Sequence, residues 1–184
     1  MPIVRRMIVL LLMAGAAGCG DDPGILNPPP SVPPGSPLTV GPVTGCPDAI
    51  GREDEPGGTY RVVADVVAVP APGQVLEPAE QTSGEGPTRL FAKWGLLVRS
   101  GVTADLSLLP GWADRARLSW GDTDVEPATA VRVIACPGDG GWSVFAGGTW
   151  VIEPDCVPIR ITTANGEEAT AELSIGTPCS RPGG

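Results

Sequence analysis

Apolar and polar residues alternate with a period of two along most of the chain beyond residue 60. This alternation is typical of antiparallel sheets in which one face packs on a core and the other meets water. No segment shows a convincing helical stripe. The apolar positions that share a face within each stretch are Tyr60, Val62, Ala64, Val66 and Ala68; Leu90, Ala92, Trp94, Leu96 and Val98; Val102, Ala104, Leu106 and Leu108; Ala116, Leu118 and Trp120; Val131, Val133 and Ala135; Val157, Ile159 and Ile161; and Ala169, Ala171, Leu173 and Ile175.

Turn residues separate these short stretches, and this arrangement predicts an all-β fold. We expect residues 46–184 to form an antiparallel β-sandwich or a partly open barrel, because this length suffices for one core. Trp94 and Trp120 fall on apolar faces and are predicted to be core residues. The polar stretch 71–89 is expected to be a long loop.

One hairpin can be predicted to the residue. The Asn-Gly pair at 165–166 favours a two-residue turn, which would place Ile159 opposite Glu172. The two apolar faces would then disagree, since a slip of one residue reverses every side chain. A three-residue loop over 164–166 pairs Ile159 with Ala171 instead, and both faces agree. We predict this second register.

The first 18 residues have the layout of a secretory signal. Arg5 and Arg6 precede a short apolar run over residues 7–14, and small residues follow it. A membrane-spanning helix needs about 20 apolar residues, so this run is too short to be one. We therefore expect residues 1–18 to be removed on export.

The sequence Ala-Ala-Gly-Cys at 16–19 resembles the lipobox of bacterial lipoproteins. The resemblance implies that a diacylglycerol is attached to the sulfur of Cys19, which becomes the first residue of the mature chain. A single acyl chain binds membranes only marginally, so the two chains matter for stable anchoring. The expected location is the cell membrane, facing the extracytoplasmic side, in either the inner or the outer membrane. A plain signal peptide without lipid is the alternative.

Residues 19–45 are predicted to form a disordered, proline-rich stalk. Nine prolines fall between residues 23 and 47, a composition that favours extended polyproline II. At about 3.1 Å per residue such a stalk reaches on the order of 75 Å. It would hold the domain away from the membrane, or serve merely as a disordered lead.

Net charge argues against one class of partner. The full chain carries −9, and loss of Arg5 and Arg6 with the signal takes it to −11. An acidic chain does not bind nucleic acid or anionic head groups by general electrostatics. No nucleic-acid partner is predicted.

Four cysteines remain once Cys19 is assigned to lipid. In an exported protein Cys46, Cys136, Cys156 and Cys179 predict two disulfides. A metal site is not predicted, because no close cysteine pair and no histidine are present. The predicted hairpin register places Cys156 opposite Ser174, short of Cys179. We therefore favour the pairs Cys136–Cys156 and Cys46–Cys179, with the other two connectivities open.

The residues offer little catalytic chemistry. Without histidine there is no Ser-His-Asp triad, and Ser143 in "GWSVF" and the single lysine, Lys93, are predicted to be strand residues. No cofactor motif is present. The protein is predicted not to be an enzyme, although a pair of carboxylates across a sheet could serve glycan hydrolysis. The carboxylates Glu153 and Asp155 are expected to be solvated.

Two further groups of residues are candidates for binding. Asp122, Asp124 and Glu126 stand at alternate positions and could hold Ca²⁺, although a solvated turn is the simpler interpretation. The other group is aromatic and forms a predicted binding surface, since exposed aromatic side chains mark carbohydrate or protein contacts. Its members are Trp112, Trp142, Phe145 and Trp150.

The stretches "FAKWGLLVRSG", "WADRARLSWG", "FAGGTWVIEPDCVPIRI" and "SIGTPC", within residues 89–179, are similar to those of uncharacterised secreted lipoproteins of GC-rich bacteria. This resemblance implies no activity. Taken together, the features predict a lipid-anchored cell-envelope protein with a non-enzymatic binding domain, whose partner is an envelope protein or a glycan. The alternatives are a carboxylate-dependent cell-wall glycan hydrolase and a passive structural component of the envelope.

Overall fold

Three β-sheets make up the fold in the computed structural model, which describes residues 41–81 and 89–180. The predictions for residues 1–18, for Cys19 and for the stalk as far as residue 40 lie outside these residues. The strands are β1 (Val43–Thr44), β2 (Ala49–Glu53), β3 (Tyr60–Val63), β4 (Val67–Pro70), β5 (Val75–Leu76), β6 (Ala79–Gln81), β7 (Arg89–Lys93), β8 (Leu96–Arg99), β9 (Thr103–Leu108), β10 (Ala116–Trp120), β11 (Ala130–Ile134), β12 (Trp142–Phe145), β13 (Gly147–Val151), β14 (Asp155–Thr163) and β15 (Glu168–Ile175). One 3-10 turn (Cys46–Asp48) is the only helical element among them. No helix in the described ranges is both long and apolar enough to cross a membrane.

The largest sheet has six strands in the order β1-β11-β9-β14-β15-β5. Its central pairs are antiparallel, whereas the short edge strands β1 and β5 run parallel to their neighbours. A second sheet has the order β10-β13-β7-β6, and a third has the order β2-β12-β8-β4-β3. The prediction of an all-β, mainly antiparallel fold is confirmed.

Two tight corners carry the chain between the second and third sheets. Trp94 and Gly95 separate β7 from β8, and Ala146 alone separates β12 from β13. The Trp94 backbone N–H donates to the Gly147 carbonyl at 2.9 Å, which joins the two corners. The predicted apolar face of residues 90–98 therefore stays inside, although its residues belong to two sheets.

The inward faces form one main core, and the predicted alternation accounts for most of it. Trp94 and Trp120 are buried and meet edge to face, with ring centroids 4.9 Å apart. Each fully buried aliphatic or aromatic side chain contributes roughly 1.5–3 kcal/mol. Fully buried side chains include Leu96, Leu106, Leu118, Phe145, Ile159, Ile161, Leu173 and Ile175.

The predicted β14–β15 register is confirmed. Ile159 lies opposite Ala171, and Cys156 lies opposite Ser174. The loop is stabilised by a hydrogen bond from the Gly166 N–H to the Thr163 carbonyl, and Gly166 adopts a φ of +83°. Glycine accepts this left-handed conformation without the strain that a Cβ would cause.

Two local predictions are wrong. The alternating stretch from Tyr60 to Ala68 is a hairpin of β3 and β4, because Ala64 and Asp65 both take positive φ values (48° and 55°) and reverse the chain. Its predicted face is not the core face either, since Val63 and Val67 are buried in the main core while Val62 is 45 % exposed. Residues other than glycine rarely adopt φ > 0, and neither Ala64 nor its neighbours include a glycine or proline. The sequence therefore carried no signal for a turn at this position. The stretch 71–89, expected to be a loop, contains β5 and β6 and reaches the start of β7.

The favoured disulfide connectivity is also wrong. Cys46 bonds to Cys136, and Cys156 bonds to Cys179. The tail folds back after Ile175 because Gly176 takes a φ of +64°, and the Cys179 N–H then donates to the Ser174 hydroxyl at 3.0 Å. The hairpin register was predicted correctly, but this bend beyond it was not.

Strand pairing also begins earlier than the predicted domain boundary at residue 46. Val43 and Thr44 form β1 and pair in parallel with β11. The Thr44 hydroxyl, which is buried, donates to the Trp120 carbonyl at 2.7 Å. The end of the predicted stalk is therefore part of the six-stranded sheet.

Candidate functional site: an aromatic groove

The outward face of the four-stranded sheet carries the candidate site. Pairing places Phe91 opposite Trp150, Lys93 opposite Gly148, and Trp150 opposite Arg117. Because side chains alternate along a strand, these residues project on the side away from the core. We call this surface the aromatic face. Its outward residues are Ala79, Gln81, Arg89, Phe91, Lys93, Arg117, Ser119, Gly148 and Trp150.

A packed aromatic pair stands at the centre of this face. The Phe91 and Trp150 rings are tilted by 39°, with centroids 4.6 Å apart, a favourable geometry for an aromatic pair. The Trp150 indole N–H donates to the Ser119 hydroxyl at 3.1 Å, which orients the indole. Trp150 is 9 % exposed, and Phe91 is the more accessible of the two rings.

Glycine makes room for this pair. A Cβ on Gly148 would lie 2.1 Å from the Ala92 carbonyl oxygen and 3.0 Å from the Phe91 ring. The Phe91 ring therefore lies directly against the Gly148 backbone, as aromatic side chains do when they cover a neighbouring strand glycine.

An open groove of about 460 Å³ runs beside the pair. Its volume falls within the range of small-ligand sites, about 300–1,000 Å³. One wall comes from β6, β7 and β13, and the other from the end of β10 and the loop that follows it. The lining residues are Gln81, Phe91, Lys93, Ser119, Trp120, Gly121, Asp122, Thr123, Val125, Pro127, Ala146, Gly147 and Trp150.

The polar groups of the groove are few and varied. Lys93 is an exposed cation, and Asp122 is an exposed carboxylate whose Oδ1 accepts the Asp124 N–H at 2.9 Å. The Ser119 hydroxyl accepts the indole N–H and retains its own proton to donate. A mixed apolar and hydrogen-bonding lining suits a ligand with an apolar face and several hydroxyl or charged groups.

The aromatic binding surface predicted from the sequence needs correction. Of its members, only Trp150 lies in the groove. Trp142 is 3 % exposed and belongs to a small apolar cluster on the five-stranded sheet, where the Arg99 guanidinium covers its ring at 4.8 Å. Phe145 is fully buried in the main core. Trp142 and Trp150 lie on different sheets because the corner at Ala146 intervenes.

Trp112 is also separate from the groove. It is partly buried against the main core, and the Arg115 guanidinium lies 4.5 Å from the centre of its ring. Arg115 also pairs with Asp155 and, at 3.8 Å, with Glu153. Glu153 and Asp155, which were expected to be solvated, thus share Arg115 as their ion-pair partner. This cluster joins the start of β10 to the start of β14.

The candidate calcium residues do not converge. Asp122, Asp124 and Glu126 are all exposed, and these three are not grouped within metal-binding distance of one another. The one group of potential ligands found among residues 41–81 and 89–180 is Cys156, Cys179 and Glu172. Its two sulfurs are already joined in a disulfide, so they are unsuited to metal ligation.

Ser143 and Lys93 do not form a nucleophilic pair. Ser143 is buried on β12, where its hydroxyl accepts the Cys136 N–H at 2.9 Å. Lys93 lies at the end of β7 in another sheet and is exposed. The hydroxyl of Ser143 has a structural role beside the Cys46–Cys136 disulfide.

Phe91 is the groove residue that sequence reasoning missed. It lies between Arg89 and Lys93, on the polar side of the alternating stretch from residue 90 to 98. An aromatic residue at an outward strand position was the available signal, because it breaks the polar side of the alternation.

The chain was compared with protein-family models, curated proteins and solved structures, and none of them matches it.

Proposed function

We propose that this protein is anchored by lipid at Cys19 on the extracytoplasmic side of a cell membrane and binds a glycan of the envelope in the aromatic groove, without catalysing a reaction. The observation that carries the binding proposal is the open groove beside the Phe91–Trp150 pair. The two rings provide flat apolar surfaces, and a pyranose presents a matching apolar face. An envelope protein is the alternative partner.

The anchoring proposal is supported by the sequence of the N-terminus. A short apolar run ends at a lipobox-like Ala-Ala-Gly-Cys, and a proline-rich segment follows before β1. The two acyl chains implied by this motif would supply the anchor. Such a protein would present the aromatic groove outside the membrane, where envelope glycans are found.

Binding is favoured over hydrolysis by the acids of the groove. Glycan hydrolysis usually employs two carboxyl groups roughly 5–9.5 Å apart. Asp122 is the single carboxylate in the groove lining among the described residues, and the nearby acids Asp124 and Glu126 lie outside that lining. A passive structural role would not require an aromatic groove, so we rank it third, after binding and hydrolysis.

The anchor can be tested by mass spectrometry of the membrane fraction without reduction. We expect a peptide that begins at diacylated Cys19, together with the linked pairs Cys46–Cys136 and Cys156–Cys179. Recovery of an unmodified Cys19 would overturn the anchoring proposal, and free thiols at the other four positions would overturn the exported location.

Binding can be tested on the full chain purified from membranes in detergent. Isolated cell-envelope glycan would be titrated against the wild type, Phe91→Ala and Ile50→Ala. Ile50 is the control, because it is 70 % exposed on β2, in a different sheet. We expect Phe91→Ala to weaken binding about tenfold, since a flat ligand face such as a nucleobase gains about 1–3 kcal/mol from stacking on an aromatic side chain. Equal affinity of all three proteins would overturn the assignment of the groove.

A further inference from the structure

We infer that the saccharide bound in this groove is acidic, with carboxylate or phosphate groups that lie against the cations of the aromatic face. This inference rests on the proposed binding function and names its ligand class. It is carried by the distribution of charge around the Phe91–Trp150 pair.

Three cations stand around the aromatic pair, and one of them, Lys93, also lines the groove. Arg89 and Lys93 stand two positions before and after Phe91 on β7, and Arg117 lies opposite Trp150 on β10. No carboxylate occupies an outward position on β6, β7, β10 or β13 in the part of these strands that the structure describes. The outward positions of these strands therefore carry one sign of charge beside the aromatic pair.

This local sign is opposite to that of the whole protein. The chain has a net charge of −9, and Lys93 is its single lysine. A cationic strip on an acidic protein attracts anionic groups to one place and repels them elsewhere, so it gives specificity as well as attraction.

Two cations of the aromatic face, Lys93 and Arg117, differ from the paired arginines of the six-stranded sheet. Among the described residues no carboxylate forms an ion pair with Lys93 or Arg117. The Arg117 guanidinium donates to the backbone carbonyls of Ala113 and Ala116, which fixes its position and leaves its charge uncompensated. A group positioned by backbone acceptors can still attract an anion without first breaking an ion pair.

The remaining groups of the groove fit the uncharged part of a sugar chain. Gln81, Ser119 and Thr123 offer hydrogen-bonding side chains for hydroxyls, and the Asp122 carboxylate accepts from hydroxyls on the loop side. Because Asp122, which follows β10, would repel an acidic group, the anion is expected at Lys93 on β7. A neutral glycan would leave these cations unused, and an apolar peptide would leave them unpaired.

Three polymers with one backbone can test this inference: dextran, carboxymethyl-dextran and dextran phosphate. Each would be titrated against the full chain in detergent, with tryptophan fluorescence as the readout. We expect both acidic polymers to bind at least about tenfold more tightly than dextran, because a charge-assisted hydrogen bond contributes about 1.5–3 kcal/mol. Tighter binding of one acidic polymer would identify carboxylate or phosphate as the recognised group. Raising salt from about 50 to 500 mM should weaken both.

Two matched variants distinguish the effect of a cation in the groove from the effect of the protein's net charge on binding. Lys93→Gln and Arg160→Gln each remove one cation, but Arg160 lies on the six-stranded sheet, where it pairs with Glu168 at 3.9 Å. We expect Lys93→Gln to weaken binding of the acidic polymers at least about fivefold and Arg160→Gln to leave it unchanged. Equal losses in the two variants would show non-specific attraction and overturn the inference.

The outcomes also distinguish failure of the acidic-ligand inference from failure of the proposed glycan-binding function. Equal binding of dextran and its acidic forms, all weakened by Phe91→Ala, would keep the glycan-binding function and reject the acidic ligand. Failure of all three polymers to bind at millimolar sugar would reject the acidic saccharide, and the envelope-glycan titration would still decide the broader function. Binding that Phe91→Ala leaves unchanged would reject the groove as the site.

Discussion

The outward faces of the four-stranded and six-stranded sheets obey the same alternation but present different chemistry. On the six-stranded sheet the outward cations are paired: Arg132 binds both carboxylate oxygens of Asp105, at 2.7 and 2.8 Å, and Arg160 faces Glu168. On the four-stranded sheet the outward cations flank two stacked aromatic rings, and no carboxylate lies among them in the described strands.

The difference lies in which side chains occupy the outward strand positions. A solvated face needs only polar residues, and paired charges across strands satisfy one another. The aromatic face instead keeps rings outward and uses Gly148 to let one of them approach the backbone. Aromatic side chains clustered at such positions, unlike single apolar residues, indicate a surface that another molecule covers.

The largest expected effect comes from removing the space beneath Phe91. Gly148→Val would place a side chain against the Ala92 carbonyl, and we expect the free energy of unfolding to fall by more than about 3 kcal/mol. Thr170→Val on the outward side of β15 is the matched change on the six-stranded sheet and should alter it by less than about 0.5 kcal/mol. Urea denaturation measures both. Similar values for the two variants would contradict the close packing of Phe91 on glycine.

A smaller effect is expected when Phe91 itself is shortened. Phe91→Ala removes the partner of Trp150 and should lower the free energy of unfolding by about 1–2 kcal/mol, less than for a fully buried ring. Ile134→Ala, on the outward side of β11, should cost less than about 0.5 kcal/mol. The same urea titrations report both changes. If Ile134→Ala lowered the free energy of unfolding more than Phe91→Ala, the proposed difference in packing between the outward faces of the two sheets would be contradicted.

The smallest effect is expected from breaking an ion pair on the six-stranded sheet. Asp105→Asn removes the pair with Arg132 and should lower the melting temperature slightly at low salt and hardly at all at high salt. Glu172→Gln, on the same face, should leave it unchanged, because no ion pair of Glu172 is found in the described part of the chain. Thermal melts at two salt concentrations would test this. A large loss that persists at high salt would show that Asp105 has another role.

The pH dependence of this ion pair follows from the arginine. The hydrogen bond to Asp105, and then its charge, raise the pKa of Arg132 above its ordinary value. The associated stability is fully present below the pKa of the unfolded chain and is lost only as pH rises through the still higher folded value. No change from this arginine is therefore expected near neutral pH.

The local pattern of the sequence determined several of the longer strands, the inward faces of those strands and one hairpin register. Alternation identifies which residues share a face, so Trp94, Trp120 and the apolar sides of β9, β10, β11, β14 and β15 were predicted correctly. The register of β14 and β15 followed because only one pairing agrees with both apolar faces. The charged start, the apolar run and the lipobox-like motif likewise predict export and anchoring from neighbouring residues alone.

Only the tertiary structure decided which distant residues meet. Period-two alternation does not show which sheet a strand joins, so Trp142 and Trp150, close in sequence, were expected to form one surface. A single-residue corner at Ala146 separates them, while pairing of β7 with β13 brings Phe91 to Trp150. The cysteine pairs depended in the same way on a bend at Gly176. Contacts between distant segments arise from topology and chain reversals, which are not encoded in the period of the residues that make them.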